Sequence, residues 1–170
     1  MMGMRADECV ARPAVAAERD VVAALWARCG LTRPWNDAAA DFDFALDSGH
    51  GAILVADRAG AILGAVMVGH DGHRGAVYYL GVDEAARRLV LGRRLVEAAE
   101  AWCRARGVPK INLMVRKENL AVLAFYEAIG YADTRCVSLY RTLDDAAAVR
   151  EADAKAAWAA RLAGDVKPWG

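Results

Sequence analysis

The chain has 170 residues, 56% of them apolar, with 22 basic and 22 acidic side chains. That is ample material for one buried core. The balanced charge gives no general attraction for nucleic acid or an acidic polymer, so any anion site must be local. Cys9, Cys29, Cys103 and Cys136 lack CxxC pairs and spaced histidines, which argues against zinc and against a disulfide framework. The start "MMGMRADECVARP" has no apolar leader core, and no run reaches the roughly 18 apolar residues of a membrane span. The expectation is a cytoplasmic protein with neither a membrane nor a nucleic-acid partner.

In chain order, "ECVARP" suits a short first strand, and "ERDVVAALWARCG" repeats Val21, Val22, Leu25 and Trp26 at helical spacing before Gly30. After the loop "LTRPWND", Asn36 or Asp37 offers an N-cap for the helix "AAADFDFALDSG". Three β-compatible runs follow, Ala52 to Asp57, Ala61 to Gly69 and Ala76 to Val82, separated by glycine-bearing turns, and these predict an antiparallel meander. Leu91, Leu95, Ala98, Ala99 and Trp102 mark one face of the next helix, which Gly107 and Pro109 end. Lys110 to Val115 reads as a strand. Asn119 caps "LAVLAFYEAIG", apolar nearly all round and therefore expected to be buried. "ADTRCVSLYRTL" supplies one or two last strands. The remainder is a terminal helix with Glu151 and Lys155 at i,i+4, ending at Gly164. The order predicts an α/β (α+β) fold, a mixed sheet packed with helices in which only the late strand-helix-strand crossover requires parallel pairing.

Three stretches can carry chemistry. "RRLVLG" feeds a helix N-terminus, where unpaired N–H groups and the helix dipole favour an anion; an ordinary helix start with exposed arginines has the same spacing. Tyr126 lies seven residues after Asn119, near the same side of the helix. A tyrosine there is either core or, at the edge of a buried site, a proton donor. The loops "GLTRPWND" and "GHDGHRG" bring Arg33, Trp35, Asp37, Asp71, His73 and Arg74, charges of both signs with an aromatic wall, as a candidate substrate-facing set. His70, Asp71 and His73 suit a solvated hairpin better than a metal, and no metal is expected.

Together, "RPWND", "GHDGHRGAVYYLGV", "RRLVLG" and "NLAVLAFYEAIGY" resemble the GNAT superfamily of acetyl-CoA-dependent N-acetyltransferases, most closely the small bacterial acetyltransferases of the YpeA type. The resemblance runs from about Glu8 to Leu143. It implies one GNAT domain over residues 1–143 with a helical extension over 144–170. It also implies a mostly antiparallel central sheet with splayed middle strands, helices on both faces and an extra C-terminal helix. Acetyl-CoA is then the cosubstrate and a small-molecule or protein amine the acceptor. The turn Arg87, Arg88, Leu89, Val90, Leu91, Gly92, Arg93 corresponds to the family's pyrophosphate cradle, with Val90 where the family has its middle glycine. A valine there is compatible with phosphate if it keeps negative φ and turns its side chain away.

Leu80 and Val82 correspond to the strand end that offers backbone N–H groups to the thioester carbonyl and the pantetheine, Leu80 thereby serving catalysis. Asn119 matches the pantetheine-side asparagine and Tyr126 the tyrosine that protonates the departing thiolate. Asp71 and His73 are candidates for the base that frees the amine. None of the cysteines sits in a nucleophile setting, which fits direct transfer. The alternative is a GNAT-fold module that senses an acyl-CoA or binds a protein. The terminal helix packs on the domain, forms a homodimer contact through Trp158 and Leu162, or stays mobile.

Overall fold

The computed structural model of the chain describes residues 9–87 and 90–164; Arg88 and Leu89 lie outside the described residues. Strands form at Val10–Pro13 (β1), Gly51–Arg58 (β2), Ala61–His70 (β3), Gly75–Val82 (β4) and Ile111–Leu113 (β5). Helices form at Arg19–Arg28 (α1), Ala38–Asp47 (α2), Leu91–Arg104 (α3), Leu120–Ala128 (α4) and Asp145–Gly164 (α5). The strands make one sheet in the order β1-β2-β3-β4-β5. Neighbours are antiparallel except β4 and β5, which run parallel because α3 crosses over between them. The meander is built from short turns: Ala59 and Gly60, both at positive φ, close β2 onto β3.

Contacts divide the chain into two compact units, one comprising the residues up to Thr32 together with Ala38–Tyr131, the other Arg33–Asp37 together with the chain from Ala132 onward.

The first unit has helices on both faces of its sheet. On one face Leu91, Leu95, Ala99 and Cys103 of α3 pack over Val66, Val68 and Val77. On the other, Leu25 and Trp26 of α1 and Phe42 of α2 pack over Ile53, Val55 and Ala65. Both faces of the central strands are therefore apolar, and strict alternation of polar and apolar residues is absent from β2 and β3. The outer face of α3 carries the i,i+4 pairs Arg93–Glu97 (2.9 Å) and Arg104–Glu100 (2.7 Å). Arg12 on β1 clasps Glu18 (2.6 Å) and Asp57 (2.7 Å), tying the entry to α1 onto the sheet edge.

In the second unit, Asp144 stands just before α5, and its carboxylate accepts from the Ala147 N–H. Lys155 on α5 pairs with Glu151 and donates to the Tyr140 hydroxyl at 2.7 Å.

Three expectations are corrected. "ADTRCVSLYRTL" forms no strand, and Val137, Leu139, Tyr140 and Leu143 are exposed. A β-compatible run becomes a strand only where it joins a ladder, and among the described residues the sheet is built from β1 to β5 without it. Helix α4 is not buried: Tyr126 is its one buried residue, and Leu120 is 72% exposed. Composition sets how much apolar surface a helix carries, not how many neighbours cover it. The expected strand over Lys110 to Val115 is shortened to Ile111–Leu113, the residues that find partners on β4.

Candidate functional site

The pairing of β4 with β5 ends at Val77↔Leu113, while β4 itself continues to Val82. Past Val77 the ladder between β4 and β5 stops, and the sheet opens there. This is the splay the family resemblance implies. At the opening β4 carries a bulge: Met67↔Tyr78 and Ala65↔Gly81 leave one extra residue on β4, and Tyr79 sits there at φ 53°. The extra residue flips the alternation of faces. Val77 points to the α3 side, Tyr79 to the α1/α2 side, and Leu80 and Val82 return to the α3 side.

Helix α3 begins beside this opening. A Cβ built on Gly92 would lie 3.6 Å from the Phe125 ring and 3.9 Å from Val82, so the start of α3, the middle of α4 and the end of β4 converge on one place. The N-cap of α3 is Val90, which offers no side-chain hydrogen bond, and the first intrahelical bond runs from the Arg94 N–H to the Val90 carbonyl (3.2 Å). The N–H groups of Leu91, Gly92 and Arg93 thus precede any intrahelical acceptor, and the dipole adds positive potential. Val90 has φ 52°, so the negative φ on which its compatibility with phosphate is conditioned is not met, whereas its side chain does turn outward, 59% exposed. A β-branched residue at that φ is strained. Leu91 is buried in the core, whereas Arg87 and Arg93 are exposed and pair with Glu84 and Glu97.

Asn119 caps α4 as expected, its side-chain oxygen accepting from the Val122 N–H at 3.3 Å, which leaves the amide NH2 as a donor. Tyr126 is 7% exposed, edge-on to Phe125 and Tyr131 at 5.1 and 5.4 Å between ring centroids. Burial pushes its phenol up to about 12. Tyr131 donates to Glu100 at 3.2 Å, and its phenol is also raised, first by burial and then by the Glu100 charge. Phe125 and Tyr131 escaped the sequence reading because nothing in a helical run of apolar residues tells which of them faces a cleft.

The hairpin between β3 and β4 is used structurally. The Asp71 carboxylate accepts from the N–H groups of Arg74 (2.7 Å) and His73 (2.8 Å), which hold it below the usual carboxylate range and make it a poor base. Gly75, where β4 starts, is five residues from Leu80, roughly 17 Å along a strand. Asp71, His73 and Arg74 therefore stand at the far end of β4 from the opening. Arg33, Trp35 and Asp37 fall in the second unit. There the Trp35 ring lies edge-on to Trp158 at 6.3 Å, with Lys155 5.5 Å above it, and the Arg33 guanidinium is 5.8 Å from the Trp158 ring. Burial pushes the Cys29 and Cys103 thiols up, away from nucleophilic thiolate.

The α1/α2 side of the opening holds an acid that the motifs did not reveal. The Tyr79 hydroxyl donates to Asp41 of α2 at 2.8 Å, and its ring stacks on Trp26 at 4.7 Å. Only the bulge turns Tyr79 toward that face, and a bulge leaves no signature in side-chain alternation.

Residues 19–131 match the family described as Acetyltransferase (GNAT) family. An acetyltransferase of Pectobacterium atrosepticum is 44% identical over 124 residues, 73% of this chain and 88% of the relative. Another, of Sodalis glossinidius, is 47% identical over 110 residues, 65% of this chain and 78% of the relative. Among solved structures, an aminoglycoside N-acetyltransferase in complex with CoA superposes with TM-score 0.69 at 18% identity, covering 80% of this chain and 95% of that one. That likeness is of fold. No helix among the described residues is long and apolar enough to cross a membrane.

Proposed function

Because this chain belongs to the acetyltransferase (GNAT) family, we propose that it moves an acetyl group from acetyl-CoA directly to an amine at the opening of β4. The observation that carries the reading is the convergence of an open strand edge with an uncapped helix start, both on the α3 face of the sheet. A long thioester with a diphosphate at its far end needs both. The residues present fit it: N–H groups of Leu91, Gly92 and Arg93 for the diphosphate, aided by Arg87, and the β4 backbone at Leu80 and Val82 for the arm and the carbonyl. When bound, acetyl-CoA supplies an activated acyl carbon.

The chain's part in the chemistry is positioning and charge stabilisation. Leu80, just past the bulge, offers its backbone N–H to the negative charge that builds on the carbonyl oxygen as nitrogen attacks. The C–N bond forms, the C–S bond breaks, and the proton lost by nitrogen is matched by one gained at sulfur. Tyr126 donates to the departing sulfur. A phenol at about 12 stays protonated at neutral pH, but it is a weaker acid than a thiol, whose ordinary value is about 8.5. It therefore serves the sulfur chiefly by hydrogen bonding while charge develops, and hands over its proton only if nitrogen resupplies it. Asn119 stands at the start of the same helix to hold the arm. The same assignment makes residues up to 143 the transferase part and α5 an appendage.

The test combines a thermal-shift titration with acetyl-CoA and a thiol-release assay over an amine panel. A ligand at 100 times its dissociation constant adds about 2.7 kcal/mol of stability. No shift at millimolar acetyl-CoA would remove the reading, and a shift without product from any amine would leave binding alone.

A further inference from the structure

The extra residue of the β4 bulge is held in a conformation that its own chemistry disfavours. Val66 of β3 alone faces both Tyr79 and Leu80, because the register passes from Met67↔Tyr78 to Ala65↔Gly81. Leu80 and Val82 reach the α3 side only if such an extra residue is present, but that requirement leaves its dihedral angles open. A bulged residue ordinarily takes the right-handed region, or the left-handed one when it is glycine. Tyr79 has φ 53°, an outlier for a bulky side chain, and such strain persists only where the surroundings over-determine it. Two contacts do so here. The Tyr79 ring stacks on Trp26 at 4.7 Å between centroids, and its hydroxyl donates to Asp41 of α2 at 2.8 Å. Trp26 is itself fully buried and packs against the equally buried Phe42. Leu80 meanwhile packs against the core on the α3 side. The peptide joining Tyr79 to Leu80 is therefore clamped from both faces of the sheet.

Resting on the acetyl-transfer reading, we infer that Tyr79 is a positioning residue of the transfer: its anchors on Trp26 and Asp41 hold the bulge so that the Leu80 N–H points at the thioester carbonyl oxygen. The reason is covalent. A peptide group is planar, so the Leu80 N–H lies in the plane of the Tyr79 carbonyl, and rotation about the Tyr79 Cα–C bond swings both together. A donor to developing charge acts only within a narrow range of distance and angle. Were Tyr79 to relax toward negative φ, that plane would turn and the donor would leave the oxygen. Asp41 thus serves the reaction from α2 through the Tyr79 hydroxyl, and its part requires a hydrogen-bond acceptor rather than a negative charge.

Difference infrared spectroscopy tests this with acetyl-CoA carrying carbon-13 at its carbonyl, bound to the full chain against free in buffer and without any amine. A hydrogen bond to a carbonyl lowers its stretching frequency, so the measurement reads the donor itself. The unaltered protein should lower the stretch. Tyr79→Phe keeps the ring stack but loses the hydroxyl, and Asp41→Ala loses the acceptor. Each should return most of the shift toward the free value, with acetyl-CoA affinity within about threefold. Asp41→Asn, whose amide oxygen still accepts the hydroxyl, should recover most of what Asp41→Ala loses. The double variant Tyr79→Phe/Asp41→Ala should be no worse than either single one, because the same bond is lost in all three. A clasp that only joins α2 to β4 would lower the melting temperature of these variants and leave the stretch where it is. The inference is overturned by an unmoved stretch in Tyr79→Phe, by an Asp41→Asn protein that behaves like Asp41→Ala, or by a stretch that the unaltered protein does not lower while binding acetyl-CoA. The bond is approached from both partners, so if one variant does not fold the other decides. No binding of acetyl-CoA to the unaltered protein removes the transferase reading itself; binding with a lowered stretch that these variants leave in place removes only the role of Tyr79.

Discussion

Val90 offers the sharpest test of the geometry at the start of α3. It sits at φ 52°, ψ 17° with most of its side chain in solvent. A left-handed conformation costs an L-residue roughly 1–2 kcal/mol, and glycine escapes that cost but gives up about 0.5–1 kcal/mol through its greater freedom in the unfolded chain. Comparing Val90→Ala with Val90→Gly isolates the backbone, because both remove the same modest side-chain burial. Glycine should come out the more stable by about 0.5–1 kcal/mol. At an ordinary helical position the order is reversed, alanine winning by about 1 kcal/mol. For a chain of this size 1 kcal/mol moves the melting temperature by about 2–4 °C. The Val90→Gly protein should therefore melt roughly 1–4 °C above the Val90→Ala protein by differential scanning calorimetry. Alanine equal to or better than glycine would show that position 90 is not left-handed. The same pair reads the ligand: if the valine side chain hinders close approach of the diphosphate to the N–H groups of Gly92 and its neighbours, Val90→Gly tightens acetyl-CoA several-fold. An unchanged dissociation constant refutes that part of the argument.

Other consequences can be checked independently. Tyr126→Phe should lower kcat by about a hundredfold, the scale for losing one hydrogen bond to developing charge, with acetyl-CoA affinity within about threefold; turnover unchanged across pH would refute the donor role. Burial raises the Tyr126 phenol from 10.0 to about 12, so between about pH 10 and 12 the unfolded chain releases a proton that the folded one keeps, and stability falls by about 2–3 kcal/mol over that window. Urea midpoints at the two ends should show a shallower alkaline loss for Tyr126→Phe than for the unaltered chain. At the acid end, Arg12 holds the Glu18 carboxyl below its ordinary value, so that contribution is present above about pH 4.5 and is lost as the pH drops through the lowered value. Arg12→Met should flatten the acid limb of the urea-midpoint profile, and an unaltered limb would mean the clasp does not hold in solution. Leu95→Ala, at a fully buried position over the α3 face, should cost about 2–5 kcal/mol in urea unfolding.

The amino-acid sequence by itself determined the local elements whose causes are local. Gly30, Gly107 and Asn119 end or start helices because of their own backbone and side-chain chemistry, and the runs through Ile53, Val66 and Val77 become strands wherever a partner lies beside them. The order of motifs also determined the family and, with it, the turn, Asn119 and Tyr126 as the places to look. Tertiary structure alone decided the rest. Whether "CVSLYRTL" pairs, and how much of α4 is covered, depends on which neighbours arrive, and no periodicity reports that. The bulge at Tyr79 is a register effect between two strands, invisible in either one, yet it sends Leu80 to one face and Tyr79 to the other. It likewise joins Asp41 to a residue 38 positions away. Side-chain chemistry is written along the chain, but which side chains meet follows from how backbones are laid side by side.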